Sequence, residues 1–186
     1  MTRGALALAA FAAVTVLVAA GAFDALDRAL LSAVQSVRAE WLDTVSSLIS
    51  IGAQSEVIFA VVLGVTIVWW RARRRDWWIP LLVFVVVGVE VVLKMTVPQE
   101  PPPHDLSRAM RYLPFIESPT PYAFPSGHVA RIAFAAAAFR WPAALGAAVV
   151  VVMALTRIYL AEHWPSDVLG GWLLGYGVAA VAYRRP

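Results

Sequence analysis

The chain has 186 residues, of which 61% are hydrophobic and 15% are charged, and it contains no cysteine. This apolar share exceeds that of soluble domains and predicts an all-α integral membrane protein, with one domain over residues 1–186. The lack of cysteine excludes disulfides and thiolate sites. The net charge of only +3, with arginines at the ends of apolar runs, argues against nucleic acid as a partner.

The first apolar run, Ala5–Phe23, follows Arg3 and is long enough to span a bilayer. The small residues at 20–22 (Ala-Gly-Ala) would also suit cleavage of a signal peptide. We favour a retained span because it fits the topology predicted for the rest of the chain.

Residues 27–50 do not form a continuous apolar run. Their apolar side chains recur at helical spacing, with charged side chains between them. This pattern predicts one or two amphipathic helices lying in the membrane interface. Such a segment could guide a lipid substrate or simply cover the bundle.

The next two runs, Val57–Trp70 and Ile79–Val97, are separated by the densest basic cluster, which holds Arg71, Arg73, Arg74 and Arg75. The positive-inside rule places that cluster in the cytoplasm. The second run carries Glu90 and Lys94, the only lysine among 15 basic residues. Charged residues within a span are costly and suggest function, although a structural ion pair is the alternative.

Residues 98–124 form a proline-rich, irregular loop predicted to lie outside the membrane on the extracytoplasmic side, as a lid or a substrate-selecting loop. Pro-Ser-Gly-His at 125–128 then opens a helix over Val129–Phe139. A helix start with Ser126 and Gly127 is a natural anion site, whereas Ser126 could also be an ordinary helix cap.

The last two runs are Ala143–Leu155 and Val168–Tyr183, and the second contains Gly171 and Gly175 at a spacing that allows close helix contact. Those glycines could pack within the bundle or between protomers, which leaves the oligomeric state open. The runs together predict about six transmembrane helices in a multi-pass protein of the plasma membrane. Counting from Arg3 inside, Arg140, Arg184 and Arg185 fall in the cytoplasm, and the polar residues at 94, 128, 157, 163 and 167 fall outside.

The polar residues of the outer side match a three-part signature: Lys94, then Pro-Ser-Gly-His at 125–128, then Arg157, His163 and Asp167 at R-x5-H-x3-D spacing. This arrangement resembles the type 2 phosphatidic acid phosphatase superfamily. That resemblance implies a membrane enzyme that removes phosphate from lipid phosphates or diphosphates without a metal or another cofactor. The compact chain is similar to bacterial undecaprenyl-diphosphate phosphatases, although phosphatidylglycerophosphate, phosphatidate and other polyprenyl phosphates remain possible substrates.

The resemblance implies a role for each residue, and elementary chemistry agrees with those roles. His163 would attack phosphorus, Asp167 would orient its ring, and His128 would protonate the leaving oxygen. The oxygens of the transferring phosphoryl group would be held by substrate-binding groups on Lys94, Ser126, Gly127 and Arg157.

Four positions depart from the pattern of that family. Pro101 stands where an arginine is expected, so one phosphate-binding cation is missing, and Arg108, Arg111 or His104 in the same loop could replace it. The milder departures are Val129 for a small or hydroxyl residue, Thr156 for serine and Ala161 for glycine.

Three other functions are compatible with these residues. His128, His163 and Asp167 could bind zinc, but the cations Lys94 and Arg157 favour an anion over a metal. The phosphoryl group could instead pass to a lipid or sugar acceptor, which would make the protein a phosphotransferase. The departure at Pro101 also allows a protein that binds lipid phosphates without catalysis.

Overall fold

A computed structural model describes residues 2–113 and 120–183. These residues form eight α-helices and no strand: α1 (Arg3–Ala19), α2 (Asp24–Gln35), α3 (Glu40–Ile51), α4 (Ser55–Arg71), α5 (Val83–Thr96), α6 (Gly127–Ala138), α7 (Ala143–Tyr159) and α8 (Pro165–Ala182). Short 3-10 turns cover Ile79–Leu82, which leads into α5, and His104–Leu106. The all-α prediction is therefore confirmed for the described residues.

Helix α8 lies at the centre of the bundle, packed most extensively against α6 on one side and α1 on another. Its glycines make this possible, because a Cβ on Gly175 would lie 2.0 Å from the Ala130 carbonyl oxygen and one on Gly171 would lie 2.3 Å from that of Ser126. The two glycines thus pack against α6 of the same chain. This close contact brings the beginnings of α6 and α8 together.

The segment predicted to be amphipathic folds as α2 and α3. Gly21 has a φ of +69°, a left-handed conformation that glycine adopts without strain, and the chain turns there so that α2 runs at 95° to α1. On α2, Asp27, Leu31 and Gln35 are buried at helical spacing. The position of α2 and α3 in the membrane interface remains a prediction.

Length and apolar composition do not confirm six membrane spans among the described residues. Only Ile79–Thr96 qualifies as a single helix, and the count rises to three if the bent pairs α1–α2 and α3–α4 each form one span. Helix α7 is apolar but shorter. Helix α6 has only 12 residues, and most of its side chains are buried against other helices.

The described residues of the proline-rich loop, 98–113 and 120–124, have no regular structure apart from the turn at His104–Leu106, as predicted. Its residues 114–119, with Pro114 and Pro119, lie outside the described residues, as do Arg184 and Arg185. The described part is tied to the bundle, since the Arg108 amide donates to the Leu160 carbonyl at 3.1 Å. This contact lays the loop over the turn between α7 and α8.

Candidate active site

Two backbone hydrogen bonds bring the three parts of the signature together. The Tyr122 amide donates to the Lys94 carbonyl at 3.2 Å, which joins the approach to α6 to the end of α5. The Ser126 amide donates to the Asp167 carbonyl at 2.9 Å, which joins the start of α6 to the start of α8. Segments separated by up to 70 residues in sequence thus form one site.

His163 and Asp167 form the pair that the sequence predicts. His163 lies in the turn between α7 and α8, and its Nδ1 is 3.2 Å from Oδ2 of Asp167 in the first turn of α8. The same carboxylate oxygen accepts the Trp164 amide at 2.9 Å, which fixes its orientation at the helix start. Because Asp167 occupies Nδ1, the Nε2 atom of His163 is the one available to attack a substrate.

The surroundings of His163 keep its ring neutral. Burial lowers its pKa well below the ordinary value of 6.5, and the positive charges of Lys94, Arg157 and Arg131 lower it further. A neutral imidazole has a free lone pair, which a nucleophile requires. The charges of Lys94 and Arg157 thus act on the His163 ring and favour its neutral form.

Four site residues carry buried polar atoms that find no hydrogen-bond partner among the described residues: Ser126 Oγ, His128 Nε2, Arg157 Nε and Asp167 Oδ1. Buried polar atoms are nearly always hydrogen-bonded, so such a cluster indicates a place for a ligand. Ser126 stands at the cap position of α6, yet its side chain makes no capping bond. Ser126 is thus a cap by position only, and its role in holding a phosphate oxygen remains a prediction.

Lys94 belongs to a buried ion cluster that also contains Glu90 and Arg131. Glu90 Oε1 is 3.3 Å from Lys94 Nζ, and Oε2 is 2.9 Å from Arg131 Nη1, while Arg131 Nε donates to the Ala53 carbonyl at 2.9 Å. Arg131 is absent from the residues predicted for the site. Its signal in the sequence is a charged residue three positions after His128, within an otherwise apolar helix.

Gly127 connects that ion cluster to the helix start. A Cβ at this position would lie 1.9 Å from Glu90 Oε1, so only glycine allows the carboxylate to approach the backbone of α6. Glu90 therefore fixes Lys94 and the first turn of α6 relative to each other. The expected role of the Gly127 amide as a phosphate donor remains a prediction.

Arg157 reaches the site from the last turn of α7. Its Nη1 donates to Ser50 Oγ of α3 at 3.1 Å, and its Nη2 is 3.5 Å from Glu162 Oε2. It borders a polar cavity of about 300 Å³, whose lining includes His104 and Arg111. Two of the three groups expected to replace the missing arginine thus line the same cavity as Arg157.

Arg108, the third of those groups, binds backbone carbonyls at the end of α2. Its guanidinium donates to the carbonyls of Gln35 and Val37 at 2.8 Å each and lies over the Tyr159 ring at 5.1 Å. These contacts hold the loop against the end of α2 and occupy the guanidinium. Arg108 is therefore a structural residue.

A second buried network supports the start of α8 from α2. Asp27 Oδ1 accepts the Ser166 amide at 2.9 Å, and its Oδ2 accepts the Ser166 hydroxyl at 2.5 Å. Gln99 Nε2 donates to Ser166 Oγ at 3.0 Å and to Asp27 Oδ2 at 3.4 Å. This network immobilises the neighbour of Asp167, and the sequence pattern gave no indication of it because the three residues are distant in the chain.

The structure also explains one family departure and bears on the metal alternative. Ala161 has a φ of +53°, in the left-handed region that glycine prefers, so alanine is accommodated there with some strain. Among the described residues, no group of three His, Asp or Glu side chains could hold a metal ion. The geometry thus gives no support to a zinc site on His128, His163 and Asp167.

Residues 75–186 match the PAP2 superfamily, and the chain belongs to that family. It is 34% identical over 71 residues to an undecaprenyl-diphosphatase of Sulfolobus acidocaldarius, covering 36% of this chain and 34% of the relative. It is 34% identical over 112 residues to a decaprenylphosphoryl-5-phosphoribose phosphatase of Mycobacterium tuberculosis, covering 59% of this chain and 60% of the relative. The matches thus span between about a third and three fifths of these curated relatives.

The fold has a counterpart among solved structures. A transmembrane PAP2-type phosphatidylglycerolphosphate phosphatase from Bacillus subtilis superposes with a TM-score of 0.75 at 21% identity, covering 98% of this chain and 94% of that chain. The likeness shows that the two chains share a fold.

Proposed function

We propose that this protein is a metal-independent lipid phosphatase that acts on polyprenyl phosphates or diphosphates, with undecaprenyl diphosphate as the preferred candidate. One observation carries the proposal: four buried, unpartnered polar atoms on Ser126, His128, Arg157 and Asp167 occur where His163 is paired with Asp167. Cationic and hydrogen-bond-donating groups around a neutral imidazole suit a phosphate ester.

In the first step, His163 Nε2 attacks phosphorus, and the bond from phosphorus to the leaving oxygen breaks. His128 gives its proton to that oxygen, so the polyprenyl alcohol, or the polyprenyl phosphate when the substrate is a diphosphate, departs with its leaving oxygen protonated. The imidazolium that forms on His163 is stabilised by Asp167 at Nδ1. Lys94, Arg157, Ser126 and the Gly127 amide hold the phosphoryl oxygens as their charge develops.

In the second step, water replaces His163 on phosphorus. His128, now neutral, accepts a proton from the attacking water, the bond from phosphorus to Nε2 breaks, and inorganic phosphate leaves. His128 Nε2 is buried and has no described protein partner, which leaves this atom available for both transfers. The cycle restores the starting protonation of both histidines.

The choice of a polyprenyl substrate rests on the relatives, since two matched proteins are named for undecaprenyl or decaprenyl compounds. We further propose that the site faces the extracytoplasmic side of the plasma membrane. The exposed arginines at 71 and 73–75 follow α4 and precede α5, at the opposite end of these helices from Lys94. The positive-inside rule then assigns the two sides.

The test is release of inorganic phosphate by the purified protein with EDTA present. Undecaprenyl diphosphate, phosphatidylglycerophosphate and phosphatidate are compared, beside the variant His163→Ala. We expect turnover in EDTA with the highest kcat/KM for the polyprenyl substrate, an acid-labile phosphoenzyme with labelled substrate, and loss of both in the variant. Phosphate release that survives in His163→Ala would refute the histidine mechanism, and release that requires an added alcohol acceptor would indicate a phosphotransferase.

A further inference from the structure

An apolar groove of about 810 Å³ lies between α6, α7 and α8. Helix α8 packs closely against α6 but only weakly against the neighbouring α7, so the two leave a space between them. Small side chains keep the space open, among them Ala133 and Ala137 on α6 and Gly146 and Ala147 on α7.

One end of the groove lies beside the proposed catalytic residues. Val129 directly follows His128, while Pro165 and Val168 flank Asp167, and all three line the groove. From Pro165 the groove continues along α8 to Ala180, a distance of about 22 Å at the helical rise per residue. That length is most of the hydrocarbon thickness of a bilayer, about 30 Å.

We propose that this groove binds the polyprenyl chain of the substrate while its phosphate occupies the site of His163. This inference rests on the proposed function for the identity of the lipid. Continuity is the structural argument: a phosphate held by Lys94, Ser126 and Arg157 has its ester oxygen near His128, and the adjoining wall is Val129. The groove residues nearest that point, Val129, Pro165 and Val168, are all apolar, so they form a surface on which a hydrocarbon chain can lie.

The groove also explains the departure at position 129 from the residue type expected in the family. Val129 is fully buried and lines the groove, so its isopropyl group supplies apolar wall at the point where phosphate gives way to hydrocarbon. A hydroxyl side chain there would present a polar group to the chain. Val129 is thus a specificity-determining position in this proposal.

The first experiment maps the chain by photo-crosslinking. A farnesyl phosphate with a diazirine at the end of its chain is added to His163→Ala protein in phosphatidylcholine vesicles and irradiated, and the modified residues are identified by mass spectrometry. We expect modification of groove residues on α7 and α8, and competition by unlabelled decaprenyl phosphate. Modification spread evenly over α1, α4 and α5, as with a diazirine-bearing phosphatidylcholine, would overturn the proposal.

A matched pair of variants tests the same groove in the active protein. Ala147 and Ala148 are both exposed neighbours on α7, but only Ala147 lines the groove. We expect Ala147→Trp to lower crosslinking, and kcat/KM for the polyprenyl substrate, by roughly tenfold, whereas Ala148→Trp leaves both unchanged. The groove would not be the binding site of the polyprenyl chain if the two variants had equal effects. Equal competition by phosphatidate, or crosslinking to a second copy of the chain, would also contradict the proposal.

The crosslinking does not depend on turnover, so the two proposals can fail separately. Groove labelling without phosphate release from the unmodified chain would retain the binding site and refute the enzyme. Phosphate release with dispersed labelling would retain the enzyme and refute the groove.

Discussion

Both ends of the helix bundle carry arginines, but the arginines are exposed at one end and buried at the other. Beyond α4, Arg74 is exposed and pairs with its near neighbour Asp76 at 2.8 Å. At the other end, Arg131 and Arg157 are only 5% and 7% exposed and contact α3, α5 and distant loops. An exposed arginine keeps its water, whereas a buried one needs partners or a ligand. Burial therefore distinguishes charges that position the chain in a membrane from charges that act on a substrate.

The largest effect on activity should come from Asp167, the acid paired with the proposed nucleophile His163. We expect Asp167→Asn to lower kcat by three to four orders of magnitude, roughly the loss seen when a triad acid becomes an amide. Asparagine can still accept the Trp164 amide, so the helix start should survive, but its amide would favour the wrong tautomer of His163. Steady-state kinetics with a circular dichroism control measure this effect, and a kcat within tenfold of the unmodified protein would contradict it.

The next effect concerns the buried ion cluster. Glu90→Gln breaks the buried ion pair with Arg131, and removing one partner of such a pair typically costs about 3–5 kcal/mol of folding stability. It also releases Lys94, and we expect a loss of about 100-fold in kcat/KM, similar to removal of one donor to a developing oxyanion.

A double variant separates these two roles of Glu90. In Glu90→Gln with Arg131→Met, the unpaired cation is gone, so thermal stability should recover while kcat/KM stays low. Full recovery of activity in the double variant would show that Glu90 supports the fold alone and does not position Lys94.

The pH dependence of the reaction reports on burial at the catalytic end. Burial and nearby cations lower the pKa of His163, so its neutral, nucleophilic form persists as pH falls below 6.5. At pH 5.5 a histidine of ordinary pKa would be about nine-tenths protonated and the rate about tenfold lower. We therefore expect the acid limb of kcat/KM for a phosphate ester to lie below pH 6.5, and an acid limb at or above that value would contradict the burial argument.

The sequence predicted the parts of this molecule that local pattern determines. Apolar runs and proline positions gave the helices, and the spacing of Arg157, His163 and Asp167 gave a turn in which the last two side chains meet at 3.2 Å. The number of membrane spans was less accessible, because α6 and α8 are buried and carry small or polar residues where a lipid-facing helix would be apolar.

The hydrogen-bond and ion-pair networks between distant residues could not be predicted from the sequence, for a different reason. Asp27, Gln99 and Ser166 form one buried cluster, yet no periodicity relates residues so far apart in the chain. Arg131 could have been singled out as a charge in an apolar helix, but only the fold shows that Glu90 lies between it and Lys94. The groove beside the site was equally inaccessible, since it depends on how far α7 stands from α8.

The smallest effect on activity should come from Arg74, at the end of the bundle where the arginines are exposed. The guanidinium of Arg74 donates two hydrogen bonds to Asp76 and thereby lowers the pKa of that carboxyl, but neither residue contacts a described residue of the active site. We expect Arg74→Ala to leave kcat, KM and the acid limb unchanged, while Arg157→Ala, a loss of the same charge, raises KM and lowers kcat. Phosphate release in vesicles measures both variants. A loss of activity in Arg74→Ala comparable to that in Arg157→Ala would mean that net charge, rather than burial, governs the reaction.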